Sequence, residues 1–163
     1  MASLSDALAR QLLEGRFVAS LASRNPDGSI HMVAVWYLFE GGLVYVATSS
    51  RSRKARNLQS DGAVSIMIDS RDVAASRGIS ITGQAKVLTG DAAKKRNDRI
   101  HRKYLSESAL ADPKVGPVFA AFDDVTVEIT PTSVVSWDMR AVDQQFFGGA
   151  MGSNPTYLLP LER

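Results

Sequence analysis

The sequence predicts a mainly β protein with helices: a small antiparallel barrel of six or seven strands, one helix at the N-terminus and two after the fifth strand. Three observations lead there. Short β-prone runs recur along the chain, several of them divided by tight-turn sequences such as Asn25-Pro26-Asp27-Gly28 and Glu40-Gly41-Gly42. Helical patterning is confined to a few stretches between those runs. Closure into a barrel hides the sheet edges that so many strands would otherwise expose.

Leu4, Ala7, Leu8 and Leu12 share one helical face, Ser3 or Ser5 can cap its start, and Gly15 ends it. Phe17 to Ser23 reads as a strand, Ile30 to Phe39 as its hairpin partner and Leu43 to Thr48 as the next strand, so a three-stranded meander is expected. A short basic helix over Ala55 to Leu58 follows. Ala63 to Ile68 is the fourth strand and Ile79 to Leu88 the fifth, in which Gly83 marks a bend or a close backbone approach. Asp91 to Tyr104 reads as a charged helix with Ile100 and Tyr104 one turn apart, and Val115 to Phe122 as a shorter helix after Pro113. Val125 to Thr130 and Ser133 to Asp138 close the order as two strands parted by Pro131-Thr132. Residues 1–140 therefore form the expected domain, and 141–163 an aperiodic tail, either disordered or wrapped around a neighbouring subunit.

Composition narrows the function classes. At 163 residues the chain is long enough for one real core. It has no cysteine, which excludes disulfides, a thiolate nucleophile and zinc-thiolate sites. No apolar run approaches the ~20 residues of a membrane-spanning helix, and the first residues, Met1-Ala2-Ser3-Leu4-Ser5-Asp6, lack signal-peptide order, so the cytoplasm is the expected location. Nineteen Lys and Arg against seventeen Asp and Glu leave a net charge of +2, and no aromatic residues interleave the basic clusters. Nucleic acid is not an expected partner.

The most informative segment is Thr48-Ser49-Ser50-Arg51-Ser52-Arg53-Lys54-Ala55-Arg56-Asn57-Leu58, where cations and hydroxyls stand between a strand and a helix. Unpaired N–H groups and the positive dipole end of a helix N-terminus attract an anion. Arg53 offers a planar fork to phosphate oxygens and Lys54 a point charge, while Thr48, Ser49, Ser50 and Ser52 add neutral donors and Asn57 a further polar group. A solvated basic turn is the alternative reading of the same residues.

The order of elements together with Thr48 and Ser52-Arg53-Lys54-Ala55 resembles the split β-barrel flavoproteins typified by pyridoxamine 5′-phosphate oxidase. The resemblance spans about residues 5–140 and implies FMN, its phosphate held by the Arg-Lys pair and hydroxyls. It also implies a homodimer with its cofactor sites at the subunit interface, with Val33, Ala34, Val35 and Trp36 along the flavin ring. Trp137 lies where the family brings a partner-subunit aromatic, and Gln84 beside Gly83 could reach across the interface. Lys54-Ala55-Arg56-Asn57-Leu58 is equally similar to the branch of this fold that binds the 8-hydroxy-5-deazaflavin coenzyme F-420, the alternative cofactor.

Departures from the family's pattern bear on substrate. Where the oxidase of pyridoxamine phosphate carries an Arg and a Lys along its second strand, this chain has Met32 and Tyr37, and the C-terminal Arg-x-His-x-Arg pattern is missing after Trp137. Pyridoxamine phosphate is therefore not the expected substrate. The cofactor ring would carry the hard chemistry, so no catalytic side chain is assigned. The only histidines are His31, a strand-entry residue, and His101, expected to be solvated on a basic helix, and no metal-ligand cluster is evident. An oxidoreductase moving a hydride to or from a small substrate is the leading expectation, with a non-catalytic flavin-binding or sensing protein beside it. A haem-handling barrel would need an axial histidine, and none follows His101.

Overall fold

The computed structural model describes residues 3–160, so the first two residues, and the last three of the expected tail, lie outside the described part. Seven antiparallel strands form one sheet: β1 (Ala19–Arg24), β2 (Ile30–Val35), β3 (Leu38–Glu40), β4 (Leu43–Thr48), β5 (Ala63–Asp69), β6 (Arg77–Leu88) and β7 (Val125–Asp138). Their order is β2-β1-β5-β6-β7-β4-β3. Inward residues follow the period of two that the pleat imposes, with Ile66, Ile68, Ile79, Ile81, Val127 and Ile129 fully withdrawn from water. Each such side chain contributes about 1.5–3 kcal/mol by leaving water.

The expected three-stranded meander is not formed. The run Ile30 to Phe39 breaks at Trp36-Tyr37, so that β2 pairs with β1 while β3 pairs with β4. β2 and β3 thereby stand at opposite ends of the strand order, and two residues join those ends. Tyr37 drives the break, because its fully buried ring sits in the core and its hydroxyl donates to the Leu12 carbonyl. At the other end of the chain, the expected pair of strands around Pro131 is the single long β7. Proline has no N–H for the ladder, and the pairing absorbs it through a register shift at Thr82/Gly83. Gly83 is required there, since a Cβ would lie 2.4 Å from the Thr130 carbonyl oxygen.

Helix α1 (Ala7–Glu14) buries Ala9, Leu12 and Leu13, and Asp6 rather than Ser3 or Ser5 is its N-cap residue. α2 (Arg53–Ser60) extends beyond the expected span and is capped by Ser52, whose Oγ accepts the Ala55 N–H. α3 (Gly90–Tyr104) turns Ala93, Asn97, Ile100 and His101 towards the protein. Two short helices follow, α4 (Glu107–Ala111), which was not expected, and α5 (Gly116–Phe122).

The tail is also more ordered than its lack of apolar periodicity suggested. α6 (Met139–Phe147) starts on an Asp138 cap and stops at Gly148, whose φ of 60° suits glycine, and α7 (Ala150–Ser153) follows. Buried Asp143 ties them, accepting the N–H groups of Met151 at 3.0 Å and Gly152 at 2.8 Å. Polar capping, which leaves little hydrophobic signature, holds this segment. No helix among the described residues is long and apolar enough to cross a membrane.

Candidate functional site

The strand-to-helix segment 48–58 folds as its chemistry requires. β4 ends at Thr48, a turn closes through the Ser52 N–H to Ser49 O bond of 2.9 Å, and α2 begins at Arg53. Thr48 Oγ1 donates to Ser52 Oγ at 3.0 Å, and that same oxygen accepts the Ala55 N–H at 3.2 Å. With its lone pairs so engaged, Ser52 keeps its own hydroxyl proton to donate. The first-turn N–H groups of Arg53 and Lys54 have no intrahelical acceptor.

Lys54 stands at the polar end of a cleft of about 310 Å³, otherwise lined by Val18, Ala34, Val35, Trp36, Ala47, Thr48, Phe119, Phe122 and Asp123. Its volume lies at the small end of the range for ligand sites. Half-buried, the Lys54 ammonium is held below its ordinary pKa by desolvation, which outweighs the opposing pull of Asp123. It has no hydrogen-bond or ion-pair partner among the described residues. A half-desolvated cation beside open helix N–H groups is suited to an anion.

The remaining expected site residues divide. Ala34, Val35, Trp36, Thr48 and Lys54 come together in the cleft. Arg53 does not join them: it is exposed and borders a neighbouring depression with Arg56, Asn57 and the Asn25–Ser29 turn. The cationic pair thus flanks the first turn of α2 from two sides. Asn57 is buried, donating to Ser23 Oγ at 3.1 Å and Asn25 Oδ1 at 3.0 Å. Ser50 spends both donors on the Asp124 carboxylate, each at 2.6 Å, while Ser49 Oγ accepts the Arg51 N–H. Val33 packs against the core instead of lining the cleft. Gln84 is an exposed residue of β6, paired with Ala63. Trp137 lies over Gly78, where a Cβ would come within 2.1 Å of its ring, and is not part of the cleft in this chain.

Sequence reasoning missed the opposite wall of the cleft. Phe119 and Phe122 of α5 and Asp123 after it were not singled out, although Gly116-Pro117-Val118-Phe119-Ala120-Ala121-Phe122 carries an i,i+3 aromatic pair that could have drawn attention. Trp36 is stacked on Tyr104, with centroids 5.0 Å apart and planes within 1°, and on Phe119 at 5.5 Å. Tyr104 is fixed in turn by donating to the Phe17 carbonyl at 2.7 Å, and burial pushes its phenol up to about 12.

His101 is buried, contrary to the expected solvated position. Its Nε2 lies 2.8 Å from Asp123 Oδ2, and its ring meets Phe119 at 5.4 Å. Among the described residues no group of three or more His, Cys, Asp or Glu is placed to hold a metal ion.

The sequence profile of pyridoxamine 5′-phosphate oxidase matches residues 5–138, most of the chain and all seven strands. The chain belongs to the pyridoxamine 5′-phosphate oxidase family. Solved structures share its fold. An F420 reductase is 21% identical over 77% of this chain and 94% of that one, with a TM-score of 0.62. A conserved hypothetical protein from Mycobacterium tuberculosis is 24% identical over 86% of this chain and 88% of that one, with a TM-score of 0.69. An FAD-binding protein from Mesorhizobium loti is 17% identical over 85% and 95%, with a TM-score of 0.61. No curated protein sequence matches the chain. This family's split barrel is the architecture described above, with Lys54 of the basic segment at the polar end of the cleft.

Proposed function

We propose that this family member is an FMN-binding oxidoreductase, acting as a homodimer on a small substrate other than pyridoxamine phosphate. The observation that carries the proposal is the unpartnered, half-buried Lys54 beside the open N-terminus of α2, at the polar end of an otherwise largely apolar cleft. That donor set fits a phosphate monoester: one desolvated cation, the free Ser52 proton and two backbone N–H groups. Lys54 would hold the phosphate from the cleft side and Arg53 from the depression beside it. The apolar stretch from Ala34 to Trp36 fits a flat ring, because alanine methyl groups allow close approach. A flavin, its phosphate held by Lys54, Ser52 and the first-turn N–H groups of α2, would supply hydride-transfer chemistry, carrying the two electrons of a reduced nicotinamide to the substrate while water supplies the proton.

The chain's own part is to bind and orient. Tyr37, at the position where the oxidase carries a lysine, is buried in the core and offers the cleft no cation. Met32 is exposed and is likewise unable to grip a second phosphate. These two residues support a substrate without that group. We take residues 1–140 as the cofactor-binding unit and 141–163 as an appended segment.

Register supports the dimer. The outward rows of five neighbouring strands read Ala34, Ser20, Met67, Ser80, Val135 and Met32, Ala22, Ser65, Thr82, Ser133, with no charge among them. Met32 and Val135 of these rows are 60% exposed or more. An uncharged sheet face of small and apolar residues is suited to a flat, self-complementary contact.

The deazaflavin coenzyme is the second reading, favoured by the likeness to an F420 reductase and by a polar end that recognises phosphate rather than ring identity. Parallel fluorescence titrations with FMN and coenzyme F-420 decide between them. Sub-micromolar binding of one names the cofactor, turnover with a reduced nicotinamide separates an enzyme from a binding or sensing protein, and binding of neither overturns the proposal.

A further inference from the structure

The cleft has two unlike walls. On the strand side Ala34 and Ala47 present only methyl groups. On the other side α5 presents Phe119 and Phe122, one turn apart. Phe119 is held in place, stacked on Trp36 and leaning on His101. Phe122 lines the same cleft and is nevertheless 67% exposed. α5 places no residue in the core, so the packing of the barrel does not account for an aromatic side chain at position 122. An apolar ring at the mouth of a cleft is placed to meet whatever the cleft binds. Directly after it, the Asp123 carboxylate borders the cleft and is held there by His101 Nε2 at 2.8 Å. Among the described residues Lys54 is the only cation lining the cleft, and the proposed phosphate occupies it.

We propose that α5 is the substrate-facing wall and that Phe122 is a specificity-determining residue, selecting flat, uncharged fused-ring molecules by offering a stacking face. Asp123 sharpens the selection by repelling anionic rings. The proposal rests on the cofactor reading for the role of Lys54, while the stacking face belongs to the chain itself. An offset ring pair contributes enough for roughly a tenfold change in affinity.

Calorimetric titration of the FMN-loaded protein and of the protein alone with 2-naphthol, 2-naphthoate and cyclohexanol tests this. The expected result is binding of 2-naphthol about tenfold tighter than cyclohexanol in both forms, and about tenfold tighter than 2-naphthoate in the FMN-loaded form, where the phosphate occupies Lys54. Phe122→Ala and Phe122→Leu both lose that preference while FMN affinity stays as in the wild type, and Asp123→Asn lets 2-naphthoate approach 2-naphthol. Failure of 2-naphthol to bind, or equal binding by wild type and Phe122→Ala, overturns the inference. Loss of FMN affinity in Phe122→Ala also overturns it, because the ring would then belong to the cofactor wall. If 2-naphthol shows the Phe122-dependent preference but neither FMN nor coenzyme F-420 binds, the cofactor reading falls and the stacking wall stands.

Discussion

His101 Nε2 lies 2.8 Å from Asp123 Oδ2, and the two side chains are largely withdrawn from solvent. This contact joins α3 to the end of α5, which has no buried residue of its own. Asn97 reinforces it from one turn earlier, donating to the carbonyls of Asp123 at 2.7 Å and Val125 at 3.1 Å. The aromatic wall of the cleft is therefore positioned by a polar clamp.

Removing that clamp leaves a buried imidazole without its acceptor, which costs about 1–3 kcal/mol. Asp123→Ala is expected to lower stability by that amount in urea unfolding and to raise amide exchange across residues 116–122. Exchange unchanged there would show that Phe119 stacking alone holds α5.

Lys54 and Arg53 are neighbours in sequence, but only Lys54 lines the cleft. Charge-assisted hydrogen bonds contribute roughly 1.5–3 kcal/mol each. Lys54→Ala is expected to weaken FMN binding by about ten- to a hundredfold, and Arg53→Ala by less, both read by flavin fluorescence. Equal losses would mean that the phosphate sits squarely between the two sides of α2.

Thr82 lies in the middle of the uncharged outer sheet face and is exposed. A carboxylate there would be buried without a partner charge among the small and apolar residues of a self-complementary contact. Sedimentation of Thr82→Glu is expected to show dissociation with the far-ultraviolet spectrum unchanged. A dimer that survives the substitution locates the contact elsewhere.

Burial pulls the Lys103 ammonium from its ordinary 10.5 to about 8, although the Tyr37 ring lies 3.9 Å from it. The folded chain releases this proton near 8 while the unfolded chain keeps it to about 10.5, so between those values the unfolded state binds more protons and stability rises with pH. Above pH 10 the sign reverses, because burial holds Tyr104 up to about 12 and Tyr37 higher still, and the unfolded phenols ionise first. Denaturation midpoints are expected to climb from pH 8 to about 10 and fall beyond. Lys103→Met should remove most of the climb, leaving the part that desolvated Lys54 adds in the same sense, and keep the fall; an undiminished climb in Lys103→Met would assign it to another group.

Much of the fold was legible because its signals are local. The alternation of Ile79 to Leu88, the Asn25-Pro26-Asp27-Gly28 turn and the basic segment after Thr48 each depend on neighbours within a few residues. The splitting of Ile30 to Phe39 was not legible, since a continuous apolar run does not show where Tyr37 will meet Leu12. Nor was the ordered tail, which is held by Asp143 and by glycines rather than by an apolar stripe.

The sequence by itself determined the fold class, the order of most elements and the polar end of the cleft, all consequences of periodicity and of residue chemistry read over short spans. Only the tertiary structure decided that Lys54 and Arg53 part company, that His101 is buried on Asp123, and that Phe119 and Phe122 face the strands across a cleft. The last two join residues far apart in the chain, His101 and Asp123 being 22 positions apart, and all three are set by how the sheet curls and where the helices then pack, which no local pattern encodes.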